Sequence, residues 1–101
     1  MITVEQIKQQ YPYPVRFADS ELTDRAYCIG GAICHVTGTH VNFPRINQLA
    51  IALIDLNPHL DWYDAPGYAS LIITENDAGM FESAWETVNV ALTCTSDVLT
   101  L

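Results

Sequence analysis

The chain predicts an all-α fold, a compact single domain spanning residues 1–101 with four to five helices around a central apolar helix. Three observations carry that expectation. Apolar residues recur at helical spacing in 46–56 and again in 81–92, and residues that start and stop helices stand at the ends of such stretches. Half of the 101 residues are hydrophobic, enough for one core at this length without a disulfide or a metal.

The elements follow in order. Thr3 and Gln6 stand at capping-box spacing, with Ile7 three residues after Val4, so a short helix runs to about Gln10. Tyr11-Pro12-Tyr13-Pro14 stops it, because each proline removes a donor and pushes its predecessor into extended geometry. Val15, Arg16 and Phe17 form a short strand or plain extended chain. Either Thr23 or Asp24 caps the second helix, which continues through Arg25 and Cys28 to Val36 and ends at Gly38. This helix is apolar on nearly every face, as a central element should be. Its Gly30-Gly31 pair lowers helicity by roughly 1 kcal/mol per glycine and therefore needs a reason, which a close helix crossing supplies. A phosphate cradle is disfavoured, since no P-loop lysine follows.

Asn42, with Pro44 in the first turn, begins a third helix carrying Ile46, Leu49, Ala50, Leu53 and Leu56 on one face, and Asn57-Pro58 ends it. After a loop, Asp64 caps a fourth helix with Pro66 just inside; this helix reaches Glu75, with Asn76 as its C-terminal residue. Asp77 then caps the last helix, whose Phe81, Ala84, Trp85, Val88 and Leu92 share one face and whose Glu82, Glu86 and Asn89 share another. The tail after Thr93 is short and β-prone. It pairs with the 15–17 segment as a short C-terminal strand or lies loose.

The formal net charge is −8, and it is unevenly placed. Lys8, Arg16, Arg25 and Arg45 balance four acids in the first 45 residues, whereas 46–101 holds eight acids and no lysine or arginine. Phosphate affinity needs clustered cations, so a nucleic-acid partner is not expected, nor is docking on an anionic membrane. No apolar stretch approaches the roughly 20 residues a membrane span requires. The first residues lack the basic start and apolar run of a secretory signal, and Cys28, Cys34 and Cys94 are an odd number, so a reducing, cytoplasmic setting is expected.

Four groups of residues are candidates for chemistry. Cys28, Cys34, His35 and His40 lack the standard metal-ligand pairs, and on a continuous helix Cys34 would lie about 240° round from Cys28. No metal and no cofactor is therefore expected. Cys28, in the first turns of its helix, is the candidate nucleophile, with His40 or His59 as its base only if the fold brings one near. The loop of His59, Asp61, Trp62, Tyr63 and Asp64 combines two acids with two aromatics and suits contact with a ligand or a partner. Glu82 and Glu86, one turn apart, repel one another by a few tenths of a kcal/mol with no nearby cation in sequence.

The residues Tyr27-Cys28-Ile29-Gly30-Gly31-Ala32, the helix ending in Asn57-Pro58, and the segment from Asn76-Asp77 to Trp85 together resemble small uncharacterised bacterial and phage helical proteins. These carry a Cys-x-Gly-Gly-Ala helix and a later Asn-Asp turn before the last helix. The resemblance spans residues 26–92. It implies a compact helical fold, and it transfers no activity and no catalytic residue. In size and charge the chain is also similar to the small acidic phage proteins that inhibit host defence nucleases, although its acids form no dense run.

The expectation is a non-enzymatic protein-interaction module, an inhibitor or adaptor, that binds a protein with a basic surface through Asp61, Trp62, Tyr63, Asp64, Glu82 and Glu86. The apolar tail residues Val98, Leu99 and Leu101 give a motive for self-association as a homo-oligomer. The alternative is a small enzyme or ligand-binding protein that uses Cys28, His59 and the Asp61/Asp64 loop.

Overall fold

A computed structural model describes residues 2–16, 26–39 and 44–94. The helices are α1 (Val4–Gln10), α2 (Ile29–Thr37), α3 (Arg45–Leu56), α4 (Ala65–Asp77) and α5 (Phe81–Thr93), with two-residue strands β1 (Tyr13–Pro14) and β2 (Ala26–Tyr27) between α1 and α2. The all-α expectation holds. α4 packs between α3 and α5, and α2 touches every other helix. Ile29, Ala32 and Ile33 of α2 are buried together with Leu49, Leu53, Ile72 and Val88, so the apolar Cys-x-Gly-Gly-Ala segment does occupy the centre.

Local chemistry accounts for several boundaries. Thr3 Oγ1 accepts the Gln6 N–H at 3.2 Å and Gln6 Oε1 accepts the Thr3 N–H at 2.8 Å, which is the capping box that the spacing predicts. Gly38 closes α2 at φ 68°, a left-handed conformation that suits glycine, and the Thr39 N–H reaches Cys34 O at 2.9 Å. The Gly30-Gly31 pair has its packing reason at Gly30. A Cβ there would stand 3.3 Å from Leu49 Cδ2 and 4.0 Å from Ile73 Cγ1, where α2 crosses α3 and α4.

Four expectations need correction. First, α2 begins at Ile29, later than its apolar run suggests. Ala26 and Tyr27 instead pair in parallel with Tyr13 and Pro14, and Val15 N–H donates to Tyr27 O at 3.2 Å. Cys28 is thus the N-cap rather than a residue of the first turns. Second, Pro44 precedes α3 as its N-cap instead of lying within it.

Third, Asp64 holds the N-cap position of α4 without a side-chain cap bond, because its backbone is already helical at φ −91° and ψ −29°. Asp61 supplies the turn: its Oδ1 accepts the Tyr63 N–H at 2.9 Å and its carbonyl accepts the Ala65 N–H at 2.9 Å. Fourth, α4 runs through Asn76 and Asp77, and α5 starts only at Phe81, so Asp77 does not cap it. Asn76 is fully buried. Its Oδ1 accepts the Ile29 N–H at 2.9 Å and its Nδ2 donates to Val15 O at 3.2 Å, tying together α4, the start of α2 and the chain after β1. Asp77 pairs bidentately with Arg45 at 2.9 and 3.3 Å. Thr23, Asp24, Phe17, Asn42, His40 and the tail, including the expected C-terminal strand, lie outside the described residues.

Candidate partner-binding groove

α5 builds one wall. Its Ala84, Trp85, Val88 and Ala91 turn inward, which leaves Glu82, Glu86, Asn89 and Val90 exposed along the outer edge. α1, fixed by its capping box and by buried Ile7, lies alongside and contributes Val4, Glu5 and Lys8 as the opposite wall. Between them runs an open groove of about 610 Å³, whose lining includes Val4, Trp85 and Val90 together with Glu5, Glu82, Glu86, Lys8 and Asn89. Three apolar side chains share this lining with an amide, and three carboxylates stand against one ammonium. A shallower depression beside Met80 and Phe81 shares Glu82 and Glu86 with the groove. A smaller one of about 200 Å³, walled by Ile2, Leu56 and Leu92, shares Val4 and Asn89 at the other end. The concavities therefore follow α5 from its first residue to its last.

The α5 wall is held from outside itself. Ser83 and Thr87 hydroxyls both donate to the Glu75 carboxylate of α4, the second at 2.6 Å. At the far end, Asn57 Nδ2 donates to Ala91 O at 2.9 Å and to Cys94 O at 2.8 Å, partnering carbonyls that a helix end leaves open.

The six expected partner-binding residues divide into two places. Glu82 and Glu86 line the groove. Trp62 and Tyr63 are exposed at 53% and 91% on the turn that Asp61 organises, with Asp64 beside them. That turn follows Asn57, which grips the end of α5 near Ala91, and Ala91 lies about 14 Å along the helix axis from Glu82. The acid-aromatic turn and the acidic edge are separate surfaces. Sequence reading missed the α1 wall, because no local signal shows that a short N-terminal helix will pack beside the last one.

A second concavity surrounds Cys28. Its Sγ accepts the Gly31 N–H at 3.3 Å, and the Arg45 guanidinium that pairs with Asp77 lines the same cavity. Cys34 lines the same cavity, of about 120 Å³, with Gly30, Gly31, Gln48 and Leu49. The helical-wheel expectation that the two thiols diverge fails because Cys28, at ψ 150°, is not helical. Burial pushes the Cys34 thiol up to about 11, with Cys28 adding to the shift and Arg45 opposing it. His59 is exposed beyond the opposite end of α3, which rises about 16 Å from Arg45 to Leu56, so the fold does not bring it to Cys28. Among the described residues no group of three His, Cys, Asp or Glu side chains could hold a metal ion. No described helix is long and apolar enough to cross a membrane.

Near this end an aromatic cluster also escaped the sequence reading. The Tyr27 ring stacks on His35 at 5.5 Å and 28°, Tyr11 meets Tyr27 edge-on at 5.0 Å, and the Tyr11 hydroxyl hydrogen-bonds His35 Nδ1. Burial, aided by Tyr27, raises the Tyr11 phenol above its ordinary value.

No protein-family model, curated protein or solved structure matches the chain. The functional assignment therefore rests on these residues.

Proposed function

We propose that this chain is a protein-interaction module, an adaptor or inhibitor, that receives a basic segment of a partner protein in the groove between α1 and α5. One observation carries the proposal: Glu5, Glu82 and Glu86 stand against a single ammonium, Lys8, around a groove whose lining also includes Val4, Trp85 and Val90, and its α5 wall comes from the part of the sequence without lysine or arginine. An incoming cation would dock beside carboxylates that otherwise repel one another. Apolar side chains of the partner would cover Val4, Trp85 and Val90. Catalysis is not part of the proposal.

The test uses a defined probe, a lysine-leucine peptide, with a glutamate-leucine peptide as its control. A Trp62→Phe background leaves Trp85, the groove tryptophan, as the only indole. The lysine peptide should change Trp85 emission at low salt, should lose affinity as salt rises, and should fail to bind Glu82→Lys/Glu86→Lys. Binding that is indifferent to salt, or equal for both peptides, would refute the acidic-groove assignment.

One observation favours a second function, capture of a small ligand or electrophile: Cys28 and Cys34 share a cavity beside Arg45. This site would work without His59. Alkylation of Cys28 ahead of the partly exposed Cys94 would support it, and the reverse order would count against it. Self-association, expected from Val98, Leu99 and Leu101 of the tail, is tested by the mass in solution at several concentrations.

A further inference from the structure

Resting on the groove assignment above, we infer that the occupant is an amphipathic α-helix that carries two cations one turn apart and lies along α5. The walls decide its backbone. Both are helices, so neither offers a sheet edge, and the strand pair among the described residues belongs to the segment between α1 and α2. An extended segment would bring unpaired backbone groups against Val4, Trp85 and Val90 with no sheet edge to receive them, whereas a helix arrives with those groups already bonded.

The rim decides its charges. Glu82 and Glu86 are four residues apart and so about 6 Å apart along the axis, the distance between Lys or Arg side chains at i and i+4 of a helix beside them. Among the described residues neither glutamate takes part in a salt bridge. On the α1 wall Glu5 and Lys8 offset one another, whereas the α5 wall carries two glutamates and no cation, so the cations of the occupant face α5.

Length follows from the exposed apolar residues. Met80 and Val90, exposed at 55% and 51%, are ten residues apart and bracket about 15 Å of wall. A partner helix of two to three turns would cover both and present its apolar stripe to the floor between them.

Three lysine-leucine peptides, each about 16 residues, test this. One places leucines at i, i+3, i+4 and i+7 with lysines one turn apart, at i+1 and i+5, on the flank of that stripe; the second has the same pattern interrupted by a central proline; the third alternates lysine and leucine as a strand would. Trp85 emission in the Trp62→Phe background measures binding, and circular dichroism measures peptide helicity in the complex. The helical pattern should bind at least about tenfold more tightly than the other two, since an interior proline breaks the helix. It should also gain helicity on binding and lose affinity with Glu82→Lys/Glu86→Lys. If the alternating or proline peptide binds as well as the helical one, the helix inference is overturned and the acidic-groove assignment stands. If no basic peptide binds, both fall.

Discussion

Replacing Asn76 with alanine removes two hydrogen bonds that tie the backbone at Val15 and the start of α2 to α4. Two groups lose their partner. The Ile29 N–H is at a buried residue and now meets the Asn76 Oδ1 at 2.9 Å, while Val15 O, at a half-buried residue, receives the Asn76 Nδ2 at 3.2 Å. Leaving a buried backbone group unpaired costs about 1–3 kcal/mol. Val15 O can recover part of that from water, so the two together come to about 2–4 kcal/mol. At about 4–8 °C of melting temperature per kcal/mol for a domain this size, Asn76→Ala should melt roughly 10–25 °C lower. Urea unfolding followed by far-UV circular dichroism should give that loss with an unchanged slope, and amide exchange at Ile29 should accelerate selectively. Ser70→Ala, at an exposed position of the same helix, should stay within about 0.5 kcal/mol. An Asn76→Ala loss no greater than that of Ser70→Ala would refute the reasoning.

Gly38→Ala should destabilise by about 1 kcal/mol, seen as a shift in the urea midpoint, because φ 68° strains any side chain; Gly38→Asn should cost less. Glu82→Lys/Glu86→Lys should abolish binding of the basic peptide yet leave thermal stability within about 0.5 kcal/mol, since both side chains are exposed. Alkali should destabilise the protein partly through Cys34, whose thiol rises from 9.0 to about 11 on folding. Between those values the unfolded chain has lost the proton that the folded one keeps, so stability is intact below the unfolded value and falls as pH climbs through the folded one. Cys34 is only partly buried, which discounts the effect to about 1–2 kcal/mol, and Cys34→Ala should flatten the alkaline limb when unfolding is measured from neutral pH upward.

Much of this fold was legible because its signals are local. The Thr3–Gln6 box, the spacing of Leu49, Ala50 and Leu53, and the Gly38 stop each need only a few neighbouring residues, and each stands where its spacing placed it. The misreadings cluster where a residue with local punctuation value was taken by a distant partner. Asn76 and Asp77 look like a turn, but their partners are 47, 61 and 32 residues away, and nothing nearby in the chain signals those distances. Tyr27 and Cys28 extend an apolar run that reads as helix, but pairing with Tyr13 and Pro14 holds the chain extended there.

The candidate site shows the same division. The acidic edge at Glu82 and Glu86 was visible as one helix face, whereas the groove it rims needs α1, and that packing has no sequence signature. The six residues chosen by charge and aromaticity proved to be two surfaces, because a helical hairpin sends its turn and its opposite end in opposite directions.

The Glu75 carboxylate, which accepts the Ser83 and Thr87 hydroxyls, and the amide of Asn57 act on α5 as clamps in its first half and at its end, neither of them part of α5 itself. A helix gripped in this way has little slack to give up when something settles against it. The ordering entropy of association then falls almost entirely on the incoming segment. Affinity should accordingly track how helical that segment already is in isolation, so stapling or helix-favouring substitutions on its solvent face should tighten the complex without adding a single contact.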